Sequence, residues 1–338
     1  MKKVVVRIGV LSILMVPFFS CEDILEEVPE DRTTIVNFFQ TMDNLEQSVT
    51  ATYRQMVDNA WNRGMGGARS RTVFMGADDW TSQPGGNKGD FKEGDQLAIS
   101  SSNTGISLTG WDMPYDVIFQ ANFSILGQQE LLESGTEATA VNALAAEAYF
   151  LRAWAYFRLV RLYGGVPIVL NPEYSEGNSQ LPRASVEEVY QQILADLQFA
   201  ITHLPTSRTE RARVDQWVAK ALRAKVYLTM ASWPLKATEN VELALQDAQD
   251  VIDNGPFMFE DDFAGIFAAS REDTNSEYIW QLKFCNNIDC PGAGLITPFA
   301  SQTTKPAELG GFQDLFIEKA FFNKFPEGAR KDHTFLTQ

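Results

Sequence analysis

The sequence predicts a mainly α-helical fold of paired helices, with long irregular loops and a few short strands. Three observations predict it. Apolar residues recur at i, i+3, i+4 and i+7 through much of the chain, and Gly and Pro punctuate those stripes. Small residues gather where helices would approach closely: Ala145, Ala146, Ala148, Ala153, Ala155, Ala219, Ala221 and Ala224. The stripes come as helix–loop–helix pairs, which suggests degenerate tetratricopeptide-type hairpins. Their period is irregular, so periodicity alone supports an α-solenoid or an irregular helical bundle. Each such hairpin leaves an apolar face that a neighbouring hairpin must cover.

The first 21 residues read MKKVVVRIGVLSILMVPFFSC. The apolar run from Ile8 to Phe19 is too short to span a bilayer as a helix, and Pro17 interrupts it. It has the form of a secretory signal, expected to occupy residues 1–20. Ser20-Cys21 at its end looks like a bacterial lipobox, with Phe18 in place of the usual Leu, so Cys21 is the expected lipidation site. Residues 21–37 carry Glu22, Asp23, Glu26, Glu27, Glu30 and Asp31. This acidic tether resembles the surface-export signal of Bacteroidetes lipoproteins; read by composition alone, it is a solvated linker.

Residues 38–338 are expected to form the folded domain. From Thr41 to Asn59, Met42, Leu45, Val49, Tyr53 and Met56 make a helical stripe, with Asp43 and Glu46 as a candidate capping box. Residues 60–110 are rich in Gly, Ser, Asp and Asn and read as a long loop, the kind that carries function. Helical spacing returns at Trp111, Tyr115, Ile118, Phe119, Asn122 and Leu126, and again from Ala138 to Tyr163. Gly164-Gly165 supplies a left-handed cap there, and Pro167 stops the helix. Val166 to Leu170 reads as a short extended segment. Ser185 and Glu188 form a capping box for a helix ended by Pro205. Asp215 caps another, and a further helix spans about Val241 to Asp253. Ser276 to Phe284 alternates like a strand.

Charge and cysteine content limit the function. The net charge is -16, and removing residues 1–20, which carry Lys2, Lys3 and Arg7 and no acid, takes it to -19. Such a chain repels phosphate backbones, so nucleic acid is not an expected partner. Cys285 and Cys290 are compatible with one disulfide; a zinc site lacks further ligands. His203 and His333 are far apart in sequence, and neither a P-loop nor a dinucleotide fingerprint occurs, so no cofactor and no catalytic residue is expected.

The segment RAWAYFRLVRLYGGVPIVL, Arg152 to Leu170, resembles the signature stretch of the SusD/RagB family. Ala148, Arg152, Ala153, Tyr156, Phe157, Leu159, Val160, Tyr163, Gly164, Val166 and Pro167 match its pattern, and Ile168 replaces a Leu. Trp111, Tyr115, Ile118 and Asn122 look like a second family helix. Val189-Tyr190 to Leu204-Pro205, with Asp196-Leu197, look like a third, and Ala244 to Gly255 like a fourth. Tyr278-Ile279-Trp280 sits where a family strand follows, and Gly328-Ala329-Arg330 replaces a segment that usually reads Asp-Pro-Arg. The resemblance implies a SusD-like α/α superhelix and a surface lipoprotein held in the outer membrane by lipid on Cys21. It implies a partner, a SusC-like TonB-dependent transporter, to which captured oligosaccharide or polysaccharide is delivered. Family members usually continue past the Asp-Pro-Arg region, so this chain is expected to lack part of one ligand-site wall.

A glycan presents CH faces for aromatic rings and hydroxyl edges for polar groups. Trp80, flanked by Asp78 and Asp79 with Asn87 nearby, is the leading contact; its structural alternative is to pack the loop onto the helices. Trp61 and Phe91 are weaker candidates. Phe299, Gln302 and Phe312 are expected on a second wall. Asp78, Asp79 and Asp90 lack calcium-loop spacing. Arg152 is expected to pair with a buried carboxylate or carbonyl between hairpins. Two other functions share these features: a surface glycoside hydrolase, which needs two convergent carboxylates, and a peptide-capturing relative on the same scaffold.

Overall fold

The computed structural model describes residues 38–57, 68–83, 85–86, 88–172, 180–208, 211–271, 274–283, 308 and 311–335. The chain divides into two units, Met1–Phe38 and Phe39–Gln338, and every described residue except Phe38 belongs to the second.

The described residues are mainly helical: α1 (Met42–Val57), α2 (Gly89–Asp95), α3 (Met113–Glu133), α4 (Ala138–Tyr163), α5 (Val186–His203), α6 (Gln216–Met230), α7 (Asn240–Asn254), α8 (Phe263–Ile266), α9 (Lys319–Lys324) and α10 (Ala329–Thr334). A π-helical stretch, Ile106–Asp112, runs directly into α3. The long helices pack in succession: α1 on α3, α3 on α4, α4 on α5, α5 on α6 and α6 on α7. This is the neighbour-on-neighbour order of a solenoid.

The central helix, α4, is apolar nearly all round, so it is enclosed rather than surface-lying. Ala145, Ala146, Ala148, Ala153 and Ala155 are completely buried, which lets the flanking helices approach closely. Leu151, Leu159, Ile193 and Leu197 fill the gaps between them; each such side chain contributes about 1.5–3 kcal/mol by leaving water.

Helix ends follow local chemistry. At α5 the Ser185 hydroxyl accepts from the Glu188 amide (3.2 Å), and the Glu188 carboxylate accepts from the Ser185 amide (2.7 Å), completing the capping box. Asp215 Oδ1 accepts from the amides of Trp217 and Val218 at 3.0 and 3.1 Å to start α6. Gly164 closes α4 at φ +72°, a conformation costly to other residues.

Three local expectations are corrected. Asp43 and Glu46 do not cap α1. The helix starts earlier, and Thr41 Oγ1 accepts from the Asn44 amide at 3.3 Å, leaving Glu46 to pair with Arg213. Residues 276–283 form no strand. They have no ladder partner, although Ile279, Trp280 and Leu282 pack on the core and the Gln281 amide donates to the Arg211 carbonyl at 3.2 Å. The region 60–110 is not one loop: its described part holds a 3₁₀ turn (Ala68–Phe74), a strand, α2 and the π-helical stretch.

Candidate ligand-binding site

Two buried ionic clusters hold the scaffold beneath the loops. Arg152 on α4 and Asp196 on α5 form a paired contact, with Arg152 Nη1 also donating to Asn122 Oδ1 at 2.7 Å. Asn122 in turn donates to the Val169 carbonyl at 2.9 Å. Tyr156 contacts the same residue, giving its hydroxyl proton to that carbonyl and receiving the Val169 amide at 2.7 Å. The segment after α4 is thus tied down by side chains rather than by a sheet. The Arg152 expectation is met by a carboxylate and an amide together.

The second cluster surrounds Glu147, which is completely buried. Arg208 Nη2, Arg213 Nε and Tyr53 Oη donate to it at 2.6, 2.6 and 2.7 Å. Arg213 also reaches Glu46 on α1. A carboxylate in that position is stable only because three donors replace its hydration.

The loop region has a small hydrophobic cluster of its own. β1 (Trp80–Ser82) pairs antiparallel with β2 (Leu315–Ile317), bringing Trp80 opposite Ile317, Thr81 opposite Phe316 and Ser82 opposite Leu315. Hydrogen bonds continue the ribbon at both ends: the Gln83 amide donates to the Asp314 carbonyl at 3.1 Å, and the Glu318 amide to the Asp79 carbonyl at 2.9 Å. Segments more than 230 positions apart in sequence are thereby joined.

Strand alternation sorts the side chains. Leu315 and Trp80 share one face, where Trp80 packs half-buried against Met75, Phe91 and Leu315. Phe316 lies on the other face and is exposed, as are Phe312 and Phe74 at 51% and 54%. Asp95 of α2 secures the ribbon. Its Oδ2 accepts from Thr81 Oγ1 (3.1 Å), the Ser82 amide (3.2 Å) and Ser82 Oγ (3.1 Å). Glu93 holds the following turn by accepting from the Ser100 amide at 3.0 Å, its hydroxyl and Asn103; these bonds keep its carboxyl below the ordinary glutamate range. Burial pushes the Asp314 carboxyl up, partly offset by Lys88.

Of the residues read from sequence, Trp80, Asp78, Asp79 and Phe312 fall on or beside this ribbon. Asp78 is exposed, and Asp79 lends its carbonyl to the pairing. Phe91 is corrected: it is 2% exposed and forms the floor under Trp80, so it is unavailable to a ligand. Asn87, Phe299, Gln302, Trp61, Cys21, Cys285 and Cys290 lie outside the described residues. The sequence marks neither Phe74 nor Phe316 as a candidate. The alternation in Leu315-Phe316-Ile317 carried the signal for Phe316, but three residues are too few to mark a strand.

Among the described residues no three His, Cys, Asp or Glu gather as metal ligands, and no helix is long and apolar enough to cross a membrane.

The chain is similar to known proteins. A SusD-like family model, described as starch-binding and associating with the outer membrane, matches residues 23–228, more than half of the chain. A SusD-like protein P2 of Formosa agariphila is 29% identical over 288 residues, covering 83% of this chain and 54% of its own. The solved structure of a SusD superfamily protein from Parabacteroides distasonis superposes with a TM-score of 0.69 at 25% identity, covering 85% of this chain and 60% of its own. A laminarin-binding SusD-like protein superposes at 0.61, also with 25% identity, over 75% of this chain and 54% of its own. The chain spans about half the length of the curated relatives it matches.

Proposed function

The chain belongs to the SusD-like family, and on that footing we propose that it is a lipid-anchored outer-membrane protein that binds glycan and passes it to a SusC-like TonB-dependent transporter. It acts by binding and not by catalysis. The observation that carries the glycan reading is the β1–β2 ribbon, which joins the Trp80 segment to the Phe312 segment and leaves Phe312 and Phe316 exposed. Rings of that kind suit the CH faces of a sugar, and the polar residues around them, Asp78 and Asp79 included, suit its hydroxyls. Asn87, Phe299 and Gln302, which lie outside the described residues, are proposed as further contacts from the sequence. The laminarin-binding relative supports a neutral glucan as the first probe.

Calorimetric titration of the purified chain with laminarin and with maltooligosaccharides tests this. Binding that weakens at least tenfold in Phe312→Ala supports it. Absence of binding to either glycan and to a broader glycan array, alongside capture from a peptide pool, would replace it with peptide recognition. Release of reducing sugar would replace it with hydrolysis. Cys21 is the proposed anchor: Cys21→Ala should move the protein from the membrane to the soluble fraction, and unchanged fractionation would remove the lipid assignment.

A further inference from the structure

Arg158 lies six residues beyond Arg152 on α4, and its situation is the opposite. Arg152 gives its protons to Asp196 and Asn122. Arg158 is only 7% exposed, yet its Nε and Nη2 are sealed from solvent without a hydrogen-bond partner. Its guanidinium stands 5.9 Å from the ring centroid of Trp154, itself half-buried. One turn on, Arg161 stands 4.4 Å from the ring centroid of Phe157 and donates to the Phe157 carbonyl at 3.3 Å. Arg183 reaches over the end of the helix to the Tyr163 and Gly165 carbonyls. None of the three arginines is ion-paired with an acid among the described residues.

A protein of net charge -16 has no shortage of carboxylates. An enclosed guanidinium is usually matched by one, because burying an unpaired charge is costly. Burial lowers the Arg158 guanidinium to about 10, Arg161 beside it adds to the fall, and Tyr163 opposes it. It remains a cation at neutral pH. Two arginines three residues apart, each stacked on the aromatic ring four residues before it, form a fixed cationic edge. Nη1 of Arg158 is not among the sealed atoms and gives the line of approach. An anion that approaches there meets Nη1 of Arg158 and the neighbouring Arg161, and a contact to either guanidinium is a charge-assisted hydrogen bond.

We propose that Arg158, with Arg161 beside it, is an anion-recognition point that takes the carboxylate or sulfate group of an acidic saccharide. The saccharide part rests on the proposed glycan function; the anion part stands on the arginines alone. The half-exposed ring of Trp154 supplies a stacking surface for the sugar that carries the anion.

The test uses the full chain and three probes at constant ionic strength against a chloride background: sodium glucuronate, inorganic sulfate and glucose. Glucuronate or sulfate should bind measurably more tightly than chloride while glucose does not, and Arg158→Gln should weaken that binding at least tenfold. Arg158→Lys, which keeps the charge on a different stem, should fall between the parent and Arg158→Gln. Because changes at Arg158 risk the fold, Arg161→Gln is the second variant, expected to weaken binding several-fold with an unchanged melting temperature. A stronger response to glucuronate assigns a carboxylate; a stronger response to sulfate assigns a sulfate ester. No preference over chloride, or a preference unchanged in both variants, overturns the proposal. Neutral-glycan binding without an anion response overturns it alone, whereas a sulfate response without any saccharide binding overturns the glycan reading instead.

Discussion

Arg152 and Asp196 form a two-pronged ion pair between α4 and α5, with Nε to Oδ2 at 2.9 Å and Nη2 to Oδ1 at 2.6 Å, both side chains nearly inaccessible to water. Gln192 adds a donor to Oδ1 at 2.9 Å. Removing one member strands the other, and that asymmetry dominates the energetics. Arg152→Met should therefore cost about 3–5 kcal/mol of folding stability. Arg152→Lys should lose part of this, because a point charge cannot occupy both oxygens. Urea denaturation reads both; a loss below about 1 kcal/mol for Arg152→Met would show that the pair is energetically idle.

Tyr53 serves the second ionic cluster in two directions. Its hydroxyl donates to Glu147 and accepts the Val214 amide at 3.1 Å, linking α1, α4 and the entry to α6. Burial, reinforced by the Glu147 charge, holds its hydroxyl well above the ordinary tyrosine range, so it stays a donor. Tyr53→Phe keeps the ring and removes both bonds, for an expected loss of about 1–3 kcal/mol. Thermal denaturation of the variant, with far-ultraviolet circular dichroism to confirm an unchanged helix content, measures it.

Gly165 is required by a close approach and not by its own conformation. A Cβ built there would lie 2.1 Å from the Ala184 carbonyl oxygen. That backbone is fixed because the Ala184 amide donates to the Val166 carbonyl at 3.1 Å. Gly165→Ala should destabilise the protein by about 1–3 kcal/mol. An unchanged melting temperature would mean that the 183–185 segment yields freely.

The helices were legible because helix formation is local. The stripe through α4, the Ser185–Glu188 box and the Asp215 cap depend on residues within a few positions of one another. Arg152 was readable as a buried pair, since leaving a buried cation on an apolar helix without an acceptor is costly. The ribbon was not readable. Its two strands have three residues each and lie far apart in sequence, so neither carries a periodic signal. Phe91 misled for the same reason: in a Gly- and Asp-rich segment it looks like an exposed loop aromatic, yet α2 turns it beneath Trp80. Glu137 went unnoticed as the cap of α4, where it accepts from the Thr139 and Ala140 amides at 2.8 and 2.9 Å, because Glu is not a favoured capping residue.

Those capping carboxylates set an acid limit. Side-chain and backbone hydrogen bonds from Thr139 and Ala140 hold Glu137 below the ordinary glutamate range, and bonds from Ser185 do the same for Glu188. A carboxyl with a lower pKa folded than unfolded binds fewer protons in the native state. Its contribution is complete above the ordinary carboxylate range and is lost as pH falls through the lower, folded value. Melting temperature should hold from pH 7 down to about 5 and then decline. Glu188→Gln should start lower and decline less steeply, and a parallel curve would remove the cap from the explanation.

Stability and binding should separate between β2 and the residues just before it. Leu315 is 1% exposed and anchors the ribbon against Met75 and Phe91, whereas Phe312, three residues earlier, is half exposed. Leu315→Ala should cost about 2–5 kcal/mol if the ribbon unfolds with the helices. If the ribbon opens alone, faster amide exchange confined to β1 and β2 should report it. Phe312→Ala should cost less stability than Leu315→Ala, because a half-exposed ring gives up less on truncation. It should nevertheless weaken glycan binding at least tenfold, since stacking of a ring on a sugar is lost outright. Calorimetric titration with laminarin, run on both variants beside urea denaturation, separates the two effects. Binding by Phe312→Ala within twofold of the parent would remove Phe312 from the contact surface.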